Sequence, residues 1–277
     1  MQFGAWRALV FILVAIVLVF FLFPPLWMVL SSFKTQVDIL RRPPAWFFVP
    51  SLANYRDIFS HRWGGGQIVT TYLPNSIIVA LASTALTIAV SLLAAYGLSR
   101  FRFRGRKAIG FFFLVTRMLP PIGMVMPLFL FMFNIGLLNT RTALVFVYTA
   151  LNIPLAVWML KGFIDTVPRE MDEAAMVDGC TRVGVIFRLI VPVVGPGMAV
   201  SAIFSFILAW NDFTIALFLT SRETRTLPLM ITAFQTDEGL FWGPMTATGV
   251  VILLPVVLFT VFSQRHMVKG LTLGAVK

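Results

Sequence analysis

The stretch VPREMDEAAMVDGCTRVGVIFRLIVP, residues 167–192, lies between two strongly apolar segments and decides how the chain is read. It combines charge, helix-boundary chemistry and apolar periodicity. Pro168 suits the first turn of a helix, and Glu170, Asp172 and Glu173 place negative charge near its positive end. Met171, Ala174 and Ala175 fall at i, i+3 and i+4 and form one small apolar face. Gly179 closes the helix, because glycine adopts the left-handed conformation of a helix end at no steric cost. Thr181 then caps a second short helix, in which Val185, Ile186 and Leu189 form a stripe before Pro192. The pattern predicts helix, glycine, helix, lying on a membrane surface.

Composition supplies the membrane. Of 277 residues 59% are hydrophobic and 12% charged, against about 25% charged in an ordinary soluble domain. The formal net charge of +11 would suggest nucleic acid in a soluble chain. Here the basic residues sit between apolar runs, so they act as topology signals and no nucleic-acid partner is expected. Cys180 is the only cysteine, which excludes an internal disulfide. His61 and His266 stand far apart without ligand spacing, and no metal site is expected.

The expected fold is an all-α integral membrane protein with six spans, since a span needs about 20 apolar residues. The first covers residues 8–30. No small-x-small cleavage site follows it, and the run through Phe23, Pro24, Pro25 and Trp27 reads as a kinked, uncleaved helix. An outer loop follows, with Trp46, Tyr55 and Trp63 suited to the interface. Its Gly64, Gly65 and Gly66 make a turn and not a phosphate loop, because neither the Lys-Ser/Thr pair nor a preceding strand is present.

The second span, 75–98, ends in Arg100, Arg102, Arg104, Arg106 and Lys107, a cationic cluster that should remain cytoplasmic. The third, 108–133, carries Pro120, Pro121, Pro127 and Arg117, and is expected to be broken where it lines a cavity. The fourth is 142–163, followed by the cytoplasmic loop 164–195. The fifth is 196–220 and the sixth 244–262, leaving a cytoplasmic tail at 263–277 and both termini inside. All of this forms a single transmembrane domain.

Polar residues within the spans mark candidate function. Arg117 should face the interior, either bonding freed carbonyls or serving a transport path. Asn152 is an interhelical hydrogen bond or a substrate ligand. Asp212 caps a break in its own helix or lines a polar path beside Trp210 and Asn211. At about 1.5 Å per residue, Asp212 lies about 24 Å from Pro196 and Arg117 about 14 Å from Ala108, which argues against a direct pair between them.

Glu173-Ala174-Ala175, three residues, Gly179, then Ile190 and Pro192 together resemble the EAA loop of binding-protein-dependent ABC importer permeases. The resemblance widens through Asn54-Tyr55, Asn75-Ser76, the run from Ala94 to Arg100 with Phe103, Gly105 and Arg106, the triplet Trp210-Asn211-Asp212, and Leu227-Pro228. With the tail Gly270-Leu271-Thr272 to Gly274-Ala275-Val276-Lys277, these are similar to the carbohydrate-uptake branch, and within it to the maltose-type second permease subunit. Cys180, where alanine is more usual, and Arg117 depart from the pattern.

The resemblance implies the type I importer permease fold and a bacterial or archaeal cytoplasmic (inner) membrane. Glu173, Ala174, Ala175, Asp178, Gly179 and Pro192 would form the ATPase-coupling element. Leu227 and Pro228 would lie in the loop facing an extracytoplasmic solute-binding protein, and Gly270, Leu271, Thr272, Gly274 and Ala275 would form an ATPase-facing tail. The implied partners are a second homologous permease, two cytoplasmic ATP-binding subunits, a sugar or polyol substrate and membrane lipid. No GxxxxGK[ST] run occurs, so the chain is not expected to be an enzyme, and ATP with its magnesium belongs to the partner ATPase. A neutral, hydroxyl-rich substrate fits amides and aromatic faces such as Asn152, Asn211 and Trp210.

Two other classes compete. An ion-coupled secondary transporter would use an intramembrane acid, for which Asp212 is the candidate, although no inverted repeat is evident. An importer permease for amino acids or peptides would share the loop but not the sugar-type tail.

Overall fold

In this computed structural model, residues 2–60, 67–237 and 239–275 are described, with side chains from 6 to 261 except Ala8 and Val69. His61, Trp63 and Gly64 to Gly66 lie outside the described residues, as do the side chains of the tail candidates Gly270, Leu271, Thr272, Gly274 and Ala275 and of His266.

The chain divides into two compact units, residues 1–70 with 230–254, and residues 71–229 with 255–277. In the first unit, α1 (Gln2–Ser32) runs unbroken through Pro24 and Pro25, and its apolar window is 0% buried within the chain. Two short helices follow, α2 (Gln36–Leu40) and α3 (Ala53–Phe59). Asn54 ties them to the end of α1, its Nδ2 donating to the carbonyls of Ser32 and Lys34 at 2.8 Å each. Lys34 is buried, and its ammonium lies 4.1 Å from the Trp27 ring centroid, an arrangement in which the ring face attracts the cation.

The second unit holds the bundle. α4 (Leu73–Arg100) follows a π-helical turn at Ile68–Tyr72. Next come α5 (Arg106–Thr116), α6 (Pro121–Asn134) and α7 (Arg141–Asp165). The helices α8 (Arg169–Val177) and α9 (Arg182–Val185) lead through a second π turn, Ile186–Ile190, into α10 (Val191–Trp210). α11 (Thr214–Leu219) leads to a 3₁₀ segment, Leu227–Phe234, within which the chain passes back into the first unit; that unit holds a two-stranded hairpin and the first part of α12 (Trp242–Ala275), whose remainder belongs to the second. The hairpin pairs β1 (Gln235–Thr236) with β2 (Gly239–Leu240).

α4, α7 and α10 form the core of this unit. Lipid offers no hydrophobic drive between helices, so they meet through small and hydroxyl side chains that permit close approach. Ser83, Thr87, Ser91, Thr149, Ser201 and Ser205 are all buried there. Asn152 Nδ2 donates to the Ser205 carbonyl at 3.2 Å, joining α7 to α10.

The third span is broken, as expected, and the fifth differs from expectation. The third is two helices meeting at 101°. That corner lifts Arg117 to the surface of the chain, where its Nη1 donates to the Leu151 carbonyl at 3.2 Å, instead of facing the interior. The fifth does not begin after Pro196. Helix runs from Arg182 to Trp210, because in the wide turn at Ile186–Ile190 the Val191 N–H bonds the Ile186 carbonyl and gives the Pro192 ring room that a tight α turn denies. It then stops at Trp210, ten residues earlier than the expected 220.

Gly197 sets the spacing of α7 and α10, since a Cβ there would lie 2.4 Å from the Phe163 ring. Gly197→Ala is expected to lower thermal stability in detergent by about 1–3 kcal/mol, the usual cost of overpacking, with partial recovery when Phe163 is shortened to leucine. An unchanged melting temperature for Gly197→Ala would show that the interface yields.

Candidate functional site

Residues 166–181 form the connection on which the sequence argument turned. α8 begins after Pro168 and carries Glu170 and Asp172 in its first turn, where carboxylates favour the helix dipole. Gly179 has φ +89°, and the Gly179 and Cys180 N–H groups donate to the carbonyls of Met176 and Ala175 at 3.1 and 3.0 Å. These are the two bonds of a Schellman cap. Thr181 Oγ1 accepts from the Gly184 N–H at 3.1 Å and opens α9. Val185, Ile186 and Ile190 sink into an apolar cluster with Leu92, Ala95, Leu160 and Ile164, drawn from α4 and α7.

The apolar face of α8 is not the side that packs inward. Met171 and Ala174 are exposed; Asp172 is buried and Ala175 partly so. The cause is an ion pair. Arg100 Nε lies 2.8 Å from Asp172 Oδ2, with side chains 8% and 7% exposed. The same guanidinium donates through Nη2 to the Val167 carbonyl at 2.9 Å, and the Tyr96 hydroxyl donates to Asp172 Oδ2 at 3.3 Å. Around it, Arg169 Nη2 donates to the Ser99 carbonyl at 2.8 Å, Ser99 Oγ donates to Asp165 Oδ1 at 2.6 Å, and Lys161 pairs with Asp165. The Arg182 guanidinium lies 5.0 Å from the Phe101 ring centroid.

With Asp172 turned in, Glu173, Ala174, Asp178 and Gly179 are exposed, beside Val177 at 87% exposure. Pro192 is exposed farther along. The arrangement is a short helix fixed by its polar side and presenting an acidic and apolar side outward, which is suited to docking another protein. Sequence reasoning missed the Arg100–Asp172 pair. It saw Arg100 only as an inside anchor and Asp172 only as a dipole acid.

The polar residues of the spans do not converge. Asn152 is committed to the α7–α10 bond described above. Trp210 is 2% exposed and stacked on Phe206 at 5.5 Å between centroids. Asn211 is exposed and its Nδ2 donates to the Ile207 carbonyl at 3.0 Å. Asp212 Oδ2 accepts from the N–H groups of Ile215 and Ala216, at 3.1 Å each, and from the Tyr148 hydroxyl at 2.8 Å. It therefore caps the break between α10 and α11, as one of its two expected readings holds, and it is not paired with Arg117.

At the other end of the bundle, Leu227 and Pro228, expected in the loop that faces a binding protein, are themselves buried. They anchor a loop whose exposed residues are Arg222 and Glu223. The Leu227 N–H donates to Ser76 Oγ at 2.7 Å, and Asn75 Nδ2 donates to the carbonyls of Glu223 and Arg225 at 3.0 and 2.9 Å.

The chain is similar to the sulfoquinovosyl glycerol transport system permease protein of Agrobacterium fabrum, at 39% identity over 100% of this chain and 96% of that one. It is similar also to the trehalose/maltose transport system permease protein of Thermococcus litoralis, at 38% identity over 92% and 91%. Its fold matches a chain in the crystal structure of a bacterial ABC transporter that imports the acidic polysaccharide alginate, with TM-score 0.76 at 20% identity over 95% of each chain. That is the type I importer permease fold. Residues 87–273 match the binding-protein-dependent transport system inner membrane component family, and the chain belongs to it, as a multi-pass membrane permease of an ABC importer.

Proposed function

We propose that this permease carries a sugar or polyol, as one of two related membrane subunits served by a pair of cytoplasmic ATP-binding subunits and an extracytoplasmic solute-binding protein. The carbohydrate substrate rests on the sulfoquinovosyl glycerol and trehalose/maltose relatives, similar along more than nine-tenths of this chain. Both termini and the loop 164–195 are assigned to the cytoplasm, because the short segment with Arg100, Arg102, Arg104, Arg106 and Lys107 carries a concentration of positive charge.

One observation carries the mechanism: α8 is clamped inward at Asp172 while Glu173 and its neighbours face out. ATP binding closes the ATPase pair, the surface formed by Glu173, Ala174, Ala175, Asp178 and Gly179 follows, and the buried clamp passes that movement to the bundle. Small Ala174 allows close approach, and Glu173 supplies an ionic contact. Along the path for substrate, Asn211 and Arg117 are exposed and so placed to meet sugar or the second permease. Asn152, Trp210 and Asp212 shape the path from behind. The tail from Gly270 to Ala275 is assigned to the ATPase side, with magnesium and ATP held by the partner.

Two substitutions separate docking from clamping. Glu173→Ala is expected to leave membrane insertion and melting temperature unchanged while lowering binding-protein-stimulated ATPase activity of the assembled complex several-fold. Unaltered stimulation would remove Glu173 from the contact. Asp172→Ala leaves Arg100 buried and unpaired, and should cost about 3–5 kcal/mol in unfolding of the detergent-solubilised chain. Affinity purification should recover a P-loop ATPase and a second permease, and lose the ATPase when Gly179 is changed to valine, which the φ of +89° disfavours.

A further inference from the structure

The two ends of α4 are fastened in the same manner to two different loops. At its first turn, Asn75 and Ser76 are 0% and 2% exposed, and their side chains hold the backbone of Glu223, Arg225 and Leu227. At its last turn, Arg100 holds Asp172 and the Val167 carbonyl, while the Ser99 carbonyl receives Arg169. None of these contacts is between neighbouring turns. The partners lie 148, 150 and 151 residues away at one end and 67, 70 and 72 at the other.

Between the two ends lie 25 residues of helix, about 38 Å at 1.5 Å each. α4 has no proline inside it, Pro74 being in its first turn. The other membrane-length helices all carry interior prolines: Pro24 and Pro25 in α1, Pro154 in α7, Pro196 in α10 and Pro255 in α12. Interior proline removes a ladder bond and is a common cause of kinks. Among the described spans α4 is thus the one with no proline between its fastened ends, Asn75 and Arg100.

We infer that α4 is a strut that joins the loop at residues 221–229 to the helix pair at residues 167–185, with Asn75 and Arg100 as positioning residues at its two ends. The inference rests on the function proposed above, and takes the loop at residues 221–229, through its exposed Arg222 and Glu223, to face the solute-binding protein and the helix pair to face the ATPase. Arrival of the loaded binding protein displaces the outer loop. Asn75 grips that loop by two carbonyls, so α4 moves with it, and Arg100 carries α8 along by a buried, bidentate contact. The strut explains how occupancy outside the membrane is sensed by an ATPase that never meets the substrate.

The test uses the complete transporter in lipid nanodiscs, and reads ATPase activity at saturating loaded binding protein divided by activity without it. Saturation removes any effect of weakened docking. Asn75→Ala and Arg100→Lys, the second keeping charge but losing the two-pronged contact, should each reduce that ratio by about tenfold, an ordinary size for a coupling free energy. Combined, they should reduce it no further than the stronger single change, because one strut broken at either end is broken. Ser76→Ala, which removes the acceptor for the Leu227 N–H, replaces Asn75→Ala if that variant does not assemble. Losses that multiply in the double variant, or a ratio left at the wild-type level by the outer-end change, would overturn the strut. If the wild-type complex itself shows no stimulation by a binding protein, the functional reading fails and the strut with it. Normal stimulation with independent ends removes the strut alone.

Discussion

The buried pair between Arg100 and Asp172 makes a surface loop part of the bundle. An ion pair that sheds most of its water is favourable only when its remaining donors and acceptors are used. Here the Val167 carbonyl and the Tyr96 hydroxyl use them. Its consequence for α8 is geometric. Successive residues of a helix point about 100° apart, so burying Asp172 turns Glu173 outward. The exposure of the acidic residue proposed to meet the ATPase thus follows from the burial of the one before it.

The same bundle shows how a chain with prolines in most of its spans keeps its backbone satisfied, which hydrocarbon demands more strictly than water. Three solutions are visible. Near Pro192 the helix widens by one π turn and continues. At residues 117–120 it gives up a straight path and turns through 101°. Between α10 and α11 it breaks, and Asp212, held by the Tyr148 hydroxyl, accepts from two N–H groups at the start of α11. Each solution moves polar groups to a place that the protein can serve.

Much of this was legible in the sequence because the strongest signals are local. Long apolar runs mark the spans, and Gly179 and Thr181 mark the loop by cap chemistry that depends on a few neighbouring residues. What stayed hidden depends on distance. Asp172 reads as a dipole acid until Arg100, 72 residues earlier, is seen beside it, and the side on which the small apolar face of Met171 and Ala174 comes to lie is set by that pair. Pro196 reads as a span boundary because the π turn that accommodates Pro192 has no residue signature of its own. The burial of Leu227 and Pro228 was not legible either, because the polar residues that hold their loop, Asn75 and Ser76, lie on another helix.

Asp212 shows how a residue that invites a functional reading is better explained by its neighbours. A carboxylate within an apolar stretch is costly and is commonly found in ion and substrate pathways. Its cost falls when fixed donors replace water, and backbone N–H groups at the start of a helix are such donors. Ile215 and Ala216 supply two and Tyr148 a third, all to Oδ2. Rotating the carboxylate toward a passing solute would leave two N–H groups and a hydroxyl unpaired in a half-buried site, each at a cost of about 1–3 kcal/mol. A neutral sugar, whose hydroxyl groups offer weaker partners than those given up, does not recover that loss. Asp212 therefore holds the break between α10 and α11 in shape.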